Sequence, residues 1–111
     1  YVLYYAMSVW GGEQTCGIGV ATADSPQGPF TDHGKMFRSN EIGVQNSIDP
    51  SLLQYEGRNY LVWGSFRGIY VIELTADGLS IMSGAKKKRI AGTAFEAVYI
   101  HKHGDYYYMP P

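Results

Sequence analysis

Two acidic residues, Asp49 and Glu96, each stand eight residues ahead of a turn glycine, Gly57 and Gly104, and the two pairs lie 47 residues apart. The same offset sets Ile48 against Phe95, Leu53 against Ile100, Tyr60 against Tyr107 and Val62 against Met109, all apolar or aromatic. A fixed period of this length means that one supersecondary unit is repeated and stacked on its neighbour. The unit is built of strands: ten tyrosines and fourteen glycines fall in short apolar runs separated by turn residues, and helical spacing is nearly absent. Strands are expected over residues 1–9, 17–23, 51–55, 59–65, 69–74, 97–101 and 106–109. Turns are marked by Asp24-Ser25-Pro26, Gly28-Pro29, Glu56-Gly57, Asp77-Gly78 and Gly104-Asp105.

A repeat of short antiparallel strands suits propeller blades, four-stranded sheets arranged about a central channel, and it would bring the two matched carboxylates to one axis. Tyr60-Leu61-Val62-Trp63 is apolar on both alternating faces, as a sheet packed between two others requires. A plain β-sandwich would explain that run equally well without the repeat. The expected organisation is all-β, with a partial blade over residues 1–45, a blade over 46–92 and the start of the next over 93–111. The chain opens inside one apolar strand at Tyr1 and stops just after another at Met109, as an interior piece of a larger domain would. Two and a half blades with open edges would associate or aggregate alone.

Composition narrows the partners. With 17% charged residues and 45% hydrophobic ones the chain is not disordered, and a net charge of -1 gives no attraction to nucleic acid or to anionic membranes. No run approaches the roughly 18 apolar residues of a membrane span. Cys16, alone, forms no internal disulfide and has no second ligand or catalytic base beside it; it reads as a buried or loop thiol. Of the histidines, His101 and His103 alternate along one strand region and His33 falls in a turn, so no metal site is expected among them. Lys86-Lys87-Lys88-Arg89 reads as an exposed loop rather than a nucleic-acid surface.

Most of the ten acidic residues sit in turns or solvated loops, whereas Asp49 and Glu96 enter strands beside apolar neighbours, in Ile48-Asp49-Pro50 and Phe95-Glu96-Ala97. Charges there cost free energy unless they are paired or used. The structural explanation is an Asx-type turn at Asp49 before Pro50 and an ion pair between Glu96 and an arginine such as Arg67. The functional one is a carboxylate pair for acid and base work at a channel. Trp10, Trp63 and Phe66 could each stack on a sugar ring or pack within a blade; Phe66, after Gly64-Ser65 at a strand end, is the best placed to stack.

In order along the chain, Tyr1-Val2-Leu3-Tyr4-Tyr5, Ile18-Gly19-Val20-Ala21-Thr22 and Gly28-Pro29-Phe30-Thr31-Asp32-His33-Gly34 resemble segments of family 43 glycoside hydrolases. Asn46-Ser47-Ile48-Asp49-Pro50 resembles that family's Asn-Ala-Ile-Asp-Pro element. Tyr60-Leu61-Val62-Trp63-Gly64-Ser65-Phe66 resembles a segment common among its endo-arabinanases. The resemblance implies a five-bladed β-propeller, a neutral polysaccharide or oligosaccharide partner such as arabinan or arabinoxylan, and a secreted or periplasmic location.

The resemblance also implies inverting hydrolysis, with Glu96 as general acid and Asp49 tuning and positioning that acid. It sets Asn46, Ser65 and Phe66 against the sugar. The family's Glu-Ala-Pro element reads Glu96-Ala97-Val98 here, a departure that loosens the start of the strand but keeps the carboxylate. The family's catalytic base is an aspartate of the first blade, which would precede Tyr1, so these 111 residues would be inactive alone. The family's axial metal or water site, usually involving a histidine from a later blade, would also lie elsewhere in the full-length protein, leaving no cofactor in this stretch. Xylan or arabinofuranoside specificity within the same family, and a noncatalytic carbohydrate-binding propeller, are the competing expectations.

Overall fold

A computed structural model describes residues 1–110 of the chain. It is all-β, with antiparallel strands in three sheets. The first sheet runs β1 (Val2–Met7), β2 (Gly17–Thr22) and β3 (Thr31–Arg38), in that order. A single helical turn, α1 (Ser39–Ile42), follows; the Glu41 carboxylate accepts the Arg38 N–H at 2.8 Å, and Gly43 closes the turn in the left-handed region at φ 78°. The second sheet has four strands in order, β4 (Ser51–Tyr55), β5 (Arg58–Trp63), β6 (Ile69–Leu74) and β7 (Lys88–Ala91). The third is a hairpin of β8 (His101–His103) and β9 (Tyr106–Tyr108).

The middle sheet is buried on both faces, and its sequence shows why. Along β5, Leu61 and Trp63 point one way into a core with Ile18, Phe37, Val44, Ile72 and Leu74, which joins the first and second sheets. Val62 points the other way, into a smaller core with Ile69 and Val98 that Leu53, Val71 and Ile100 extend toward the hairpin. Period-two alternation between two apolar faces is what a strand inside a stack of three sheets needs. A two-sheet sandwich would leave one of these faces in water, and that alternative is excluded.

Several expected elements are corrected. The basic run Lys86-Lys87-Lys88-Arg89, expected as a loop, contributes to β7, the outer edge of the middle sheet; its side chains are exposed and are the kind that blunt an unpaired edge. Strand β3 was not anticipated because nearly all of it is exposed and polar, with Phe37 its one buried residue. His33 therefore lies on β3 and not in a turn, with its Nε2 2.7 Å from the Thr22 hydroxyl. The strand expected over residues 97–101 begins only at His101, since Ala97 sits at φ 50°, which an extended strand does not allow.

The two hairpins of the repeat differ by one residue at the turn. Between β4 and β5 both Glu56 and Gly57 have positive φ, the signature of a type I′ turn, whereas between β8 and β9 only Gly104 does, as in a type II′ turn. The 47-residue offset therefore holds at Asp49 and Glu96 and becomes 48 at the turns.

Candidate active site

Three segments meet at one end of the stack: residues 46–49 leading into β4, residues 64–66 leaving β5, and residues 95–97 ahead of β8. Their backbones are joined directly. Gly64 N–H donates to the Ile48 carbonyl at 3.0 Å, Phe66 N–H donates to the Phe95 carbonyl at 2.9 Å, and Ser65 bridges to Glu96 in antiparallel fashion. Gly64 is required there: at φ 133° a Cβ would come within 2.2 Å of the Gly68 carbonyl oxygen.

Backbone strain is concentrated at this junction. Among the described residues, five that are not glycine have positive φ, and four of them, Asn46, Asp49, Phe66 and Ala97, are here. Such conformations persist only where the surroundings hold them, and they gather at functional sites. A buried polar knot supports the junction from below. Trp63 Nε1 donates to the Ser47 hydroxyl at 3.0 Å, Ser47 Oγ donates to the Val44 carbonyl at 2.8 Å, and the Ser47 N–H donates to Ser39 Oγ at 3.0 Å. Cys16 is buried against the same Ser39 hydroxyl at 3.1 Å, in keeping with its reading as a buried or loop thiol. Trp63 is thus a core residue, 1% exposed and packed on Phe37, and stacks on no sugar.

Above the junction opens a cleft of about 420 Å³ lined by Trp10, Glu13, Asn46, Ile48, Ser65, Phe66 and Glu96. Glu96 is exposed to it, so burial imposes no demand for a partner. The ion pair with Arg67 that would have given Glu96 a purely structural role does not form: Arg67 Nη2 lies 2.9 Å from Glu13 Oε1 instead. Asp49 is half-buried behind the cleft, and its Oδ2 accepts the Ala97 N–H at 3.2 Å, a contact 48 residues away in sequence. That contact, rather than an Asx-type turn at Pro50, occupies the carboxylate.

Asn46 and Ser65 form part of the wall and also bind each other, Asn46 Nδ2 donating to the Ser65 carbonyl at 2.9 Å. Ser65 is buried, whereas Phe66 at 45% exposure and Trp10, fully exposed on the turn closed by Gly12 N–H and the Val9 carbonyl, present open aromatic faces. In the sequence Glu13 is one of the acids of turns and solvated loops. Its place in the wall depends on how the β1–β2 loop folds back, and the only local sign of that fold is Gly11-Gly12 beside it.

Among the described residues no three His, Cys, Asp or Glu side chains are grouped to hold a metal ion. Among them, too, no helix is long and apolar enough to cross a membrane.

Known proteins resemble this chain in sequence and in fold. The chain is 35% identical over 114 residues to the probable arabinan endo-1,5-alpha-L-arabinosidase A of Aspergillus flavus, an alignment covering 98% of this chain and 35% of that protein. The structure superposes on Cellvibrio cellulosa alpha-L-arabinanase complexed with arabinohexaose with a TM-score of 0.78 at 27% identity, covering 97% of this chain and 41% of the other. An exo-1,5-alpha-L-arabinanase from a bovine ruminal metagenomic library gives a TM-score of 0.78 at 32% identity, with the same coverage of 97% and 41%. The chain spans about a third of the length of the curated relatives it matches. Its fold is that of part of a five-bladed β-propeller. The model of glycosyl hydrolases family 43 matches residues 1–110, and the chain belongs to that family.

Proposed function

We propose that this chain forms part of a glycoside hydrolase that cleaves α-L-arabinofuranosyl linkages in arabinan, with Glu96 as the general acid. The observation that carries the proposal is the exposed Glu96 carboxyl, presented to a cleft with two open aromatic faces by four strained backbone positions. Its relatives are arabinan-cleaving by name. In this reading Phe66 and Trp10 hold the sugar faces, Asn46 and Ser65 shape the wall, and Glu96 gives its proton to the departing glycosidic oxygen. Asp49 tunes that acid and fixes its backbone through Ala97 N–H.

Inversion requires a second carboxylate to activate water from the opposite side of the sugar, about 6.5–9.5 Å from the acid. Glu13, the other acid in the cleft wall, is engaged with Arg67. The resemblance to the family puts the base on an aspartate of the first blade, so we assign it to a part of the full-length protein outside these residues, and these 111 residues are expected to be inactive by themselves. A polymeric substrate of this kind implies a secreted or periplasmic enzyme.

One observation favours a second reading. Glu96 is the single carboxylate of the wall without a charged partner among the described residues, as in a propeller that binds carbohydrate without cleaving it. Incubating the full-length protein with linear arabinan and with xylan, and following reducing ends and product anomers by NMR, separates the readings. Release from arabinan with inverted anomers supports the proposal. Release from xylan alone reassigns the substrate within the family, and binding to arabinan without release supports the second reading.

A further inference from the structure

Glu96 is aimed by its neighbours' backbone, and three hydrogen bonds fix that backbone. Phe66 N–H holds the Phe95 carbonyl at 2.9 Å, Asp49 Oδ2 holds the Ala97 N–H at 3.2 Å, and the Ser51 hydroxyl donates to the Val98 carbonyl at 3.0 Å. Ser51 is the first residue of β4, is half-buried, and pairs across the ladder with Val62, which is fully buried. Its hydroxyl is therefore carried on a rigid part of the middle sheet. Ser51 and Val98 also stand 47 residues apart, so this contact joins the same equivalent positions of the repeat as Asp49 and Glu96.

Ala97 lies between the acid and this contact, in the left-handed region at φ 50°. A residue with a Cβ stays there only while both its flanks are held. Asp49 grips one flank and Ser51 the other. The resemblance places proline at position 98, where a ring would fix φ near its usual −65° or so; Val98 has no ring, and an external contact must do that work. Val98 is buried against Val62 and Ile69, which anchors its side chain.

We infer that Ser51 is a positioning residue: its hydrogen bond to the Val98 carbonyl locks the Ala97–Val98 segment and so aims the Glu96 carboxyl at the glycosidic oxygen. The inference rests on the proposed hydrolase reading. Loss of the hydroxyl lets Ala97 relax toward the extended region, which moves the acid while leaving the sugar-binding wall in place. A misplacement of about 1 Å in a catalytic group can cost up to about a hundredfold in rate.

The test compares Ser51→Val and Ser51→Thr, which have nearly the same shape but differ in the hydroxyl, in the full-length protein. On linear arabinan Ser51→Val should lose about tenfold in kcat with KM within about twofold, since the contact acts on the transition state rather than on binding. Ser51→Thr should restore most of the loss. On an arabino-oligosaccharide with a 4-nitrophenyl leaving group, which departs without a proton, Ser51→Val should match wild type. Equal losses on both substrates, equal behaviour of Val and Thr, or an unchanged Ser51→Val enzyme each overturn the inference while the hydrolase reading stands. A wild-type protein that cleaves no arabinan overturns the hydrolase reading itself, and the inference with it, before any variant is compared.

Discussion

Asp77 shows how a single side chain carries more than its charge. Its Oδ1 accepts the Thr75 hydroxyl at 2.6 Å and the Leu79 N–H at 3.0 Å, and these bonds, the hydroxyl first, hold its carboxyl below the ordinary value of 3.8. Lys35 and then the Arg38 N–H do the same for Glu41, whose ordinary value is 4.5. A carboxyl depressed in the folded state binds fewer protons than in the unfolded chain, so its stabilisation is full above the ordinary value and is lost as pH falls through the folded one. Both groups are solvent-exposed, and the effect is correspondingly screened. The contribution of these two groups to stability should therefore be flat above about pH 5 and decline below about pH 4. In Asp77→Asn that decline should be shallower, measured by urea midpoints across the range; an identical slope would remove Asp77 from the explanation.

Residue identity made part of the site legible and hid the rest. Asp49 and Glu96 stood out because acids beside apolar neighbours at matched repeat positions need a reason. The structure brings their segments together through the bond from Ala97 to Asp49. Ser51 could not be found in this way, since a serine at the start of a strand has many uses and its partner is a backbone carbonyl 47 residues on. The Glu13–Arg67 pair was hidden for a similar reason. Both residues sit in loops, and only the fold-back of the first loop onto the second makes them neighbours.

At the level of elements, β5 was the most readable because both of its faces are apolar and both are buried. Its end residue Trp63 is the largest fully buried side chain among the described residues, packed on Phe37 at 5.1 Å and Tyr70 at 5.8 Å, with its ring N–H on Ser47. Trp63→Ala should destabilise the full-length protein by about 3–5 kcal/mol. A loss well under about 1 kcal/mol in urea unfolding would mean that the core shared by the first two sheets is not a cooperative part of the molecule. Edge strands were the least readable. Strand β3 offers one buried side chain, and β7 opens with the last two of a run of four cations, patterns that in isolation match solvated loops; only pairing to a neighbouring strand distinguishes them. The start of the third sheet was misplaced because a left-handed Ala97 carries no sequence sign.

For the molecule as a whole, the 47-residue repeat did what no single element could: it separated stacked sheets from a two-sheet sandwich. The middle sheet is covered on both faces, while β1 leaves Leu3 45% exposed and β9 leaves Tyr106 69% exposed, the pattern shown by a radial stack where further sheets pack. Resemblance to the family supplied the number of blades, which the repeat alone does not. Specificity stayed out of reach because it is set by the loops that frame a cleft, and those follow the architecture rather than the repeat.

The central claim is that Glu96 donates the proton to the leaving oxygen, and the direct measurement is the hydrolysis rate of Glu96→Gln in the full-length protein on two substrates. On linear arabinan the variant should fall by about 10²–10⁴-fold, the usual contribution of a positioned acid. On a 4-nitrophenyl arabino-oligosaccharide, whose leaving group needs no proton, it should keep most of the wild-type rate. Near-normal hydrolysis of arabinan by Glu96→Gln would contradict the assignment.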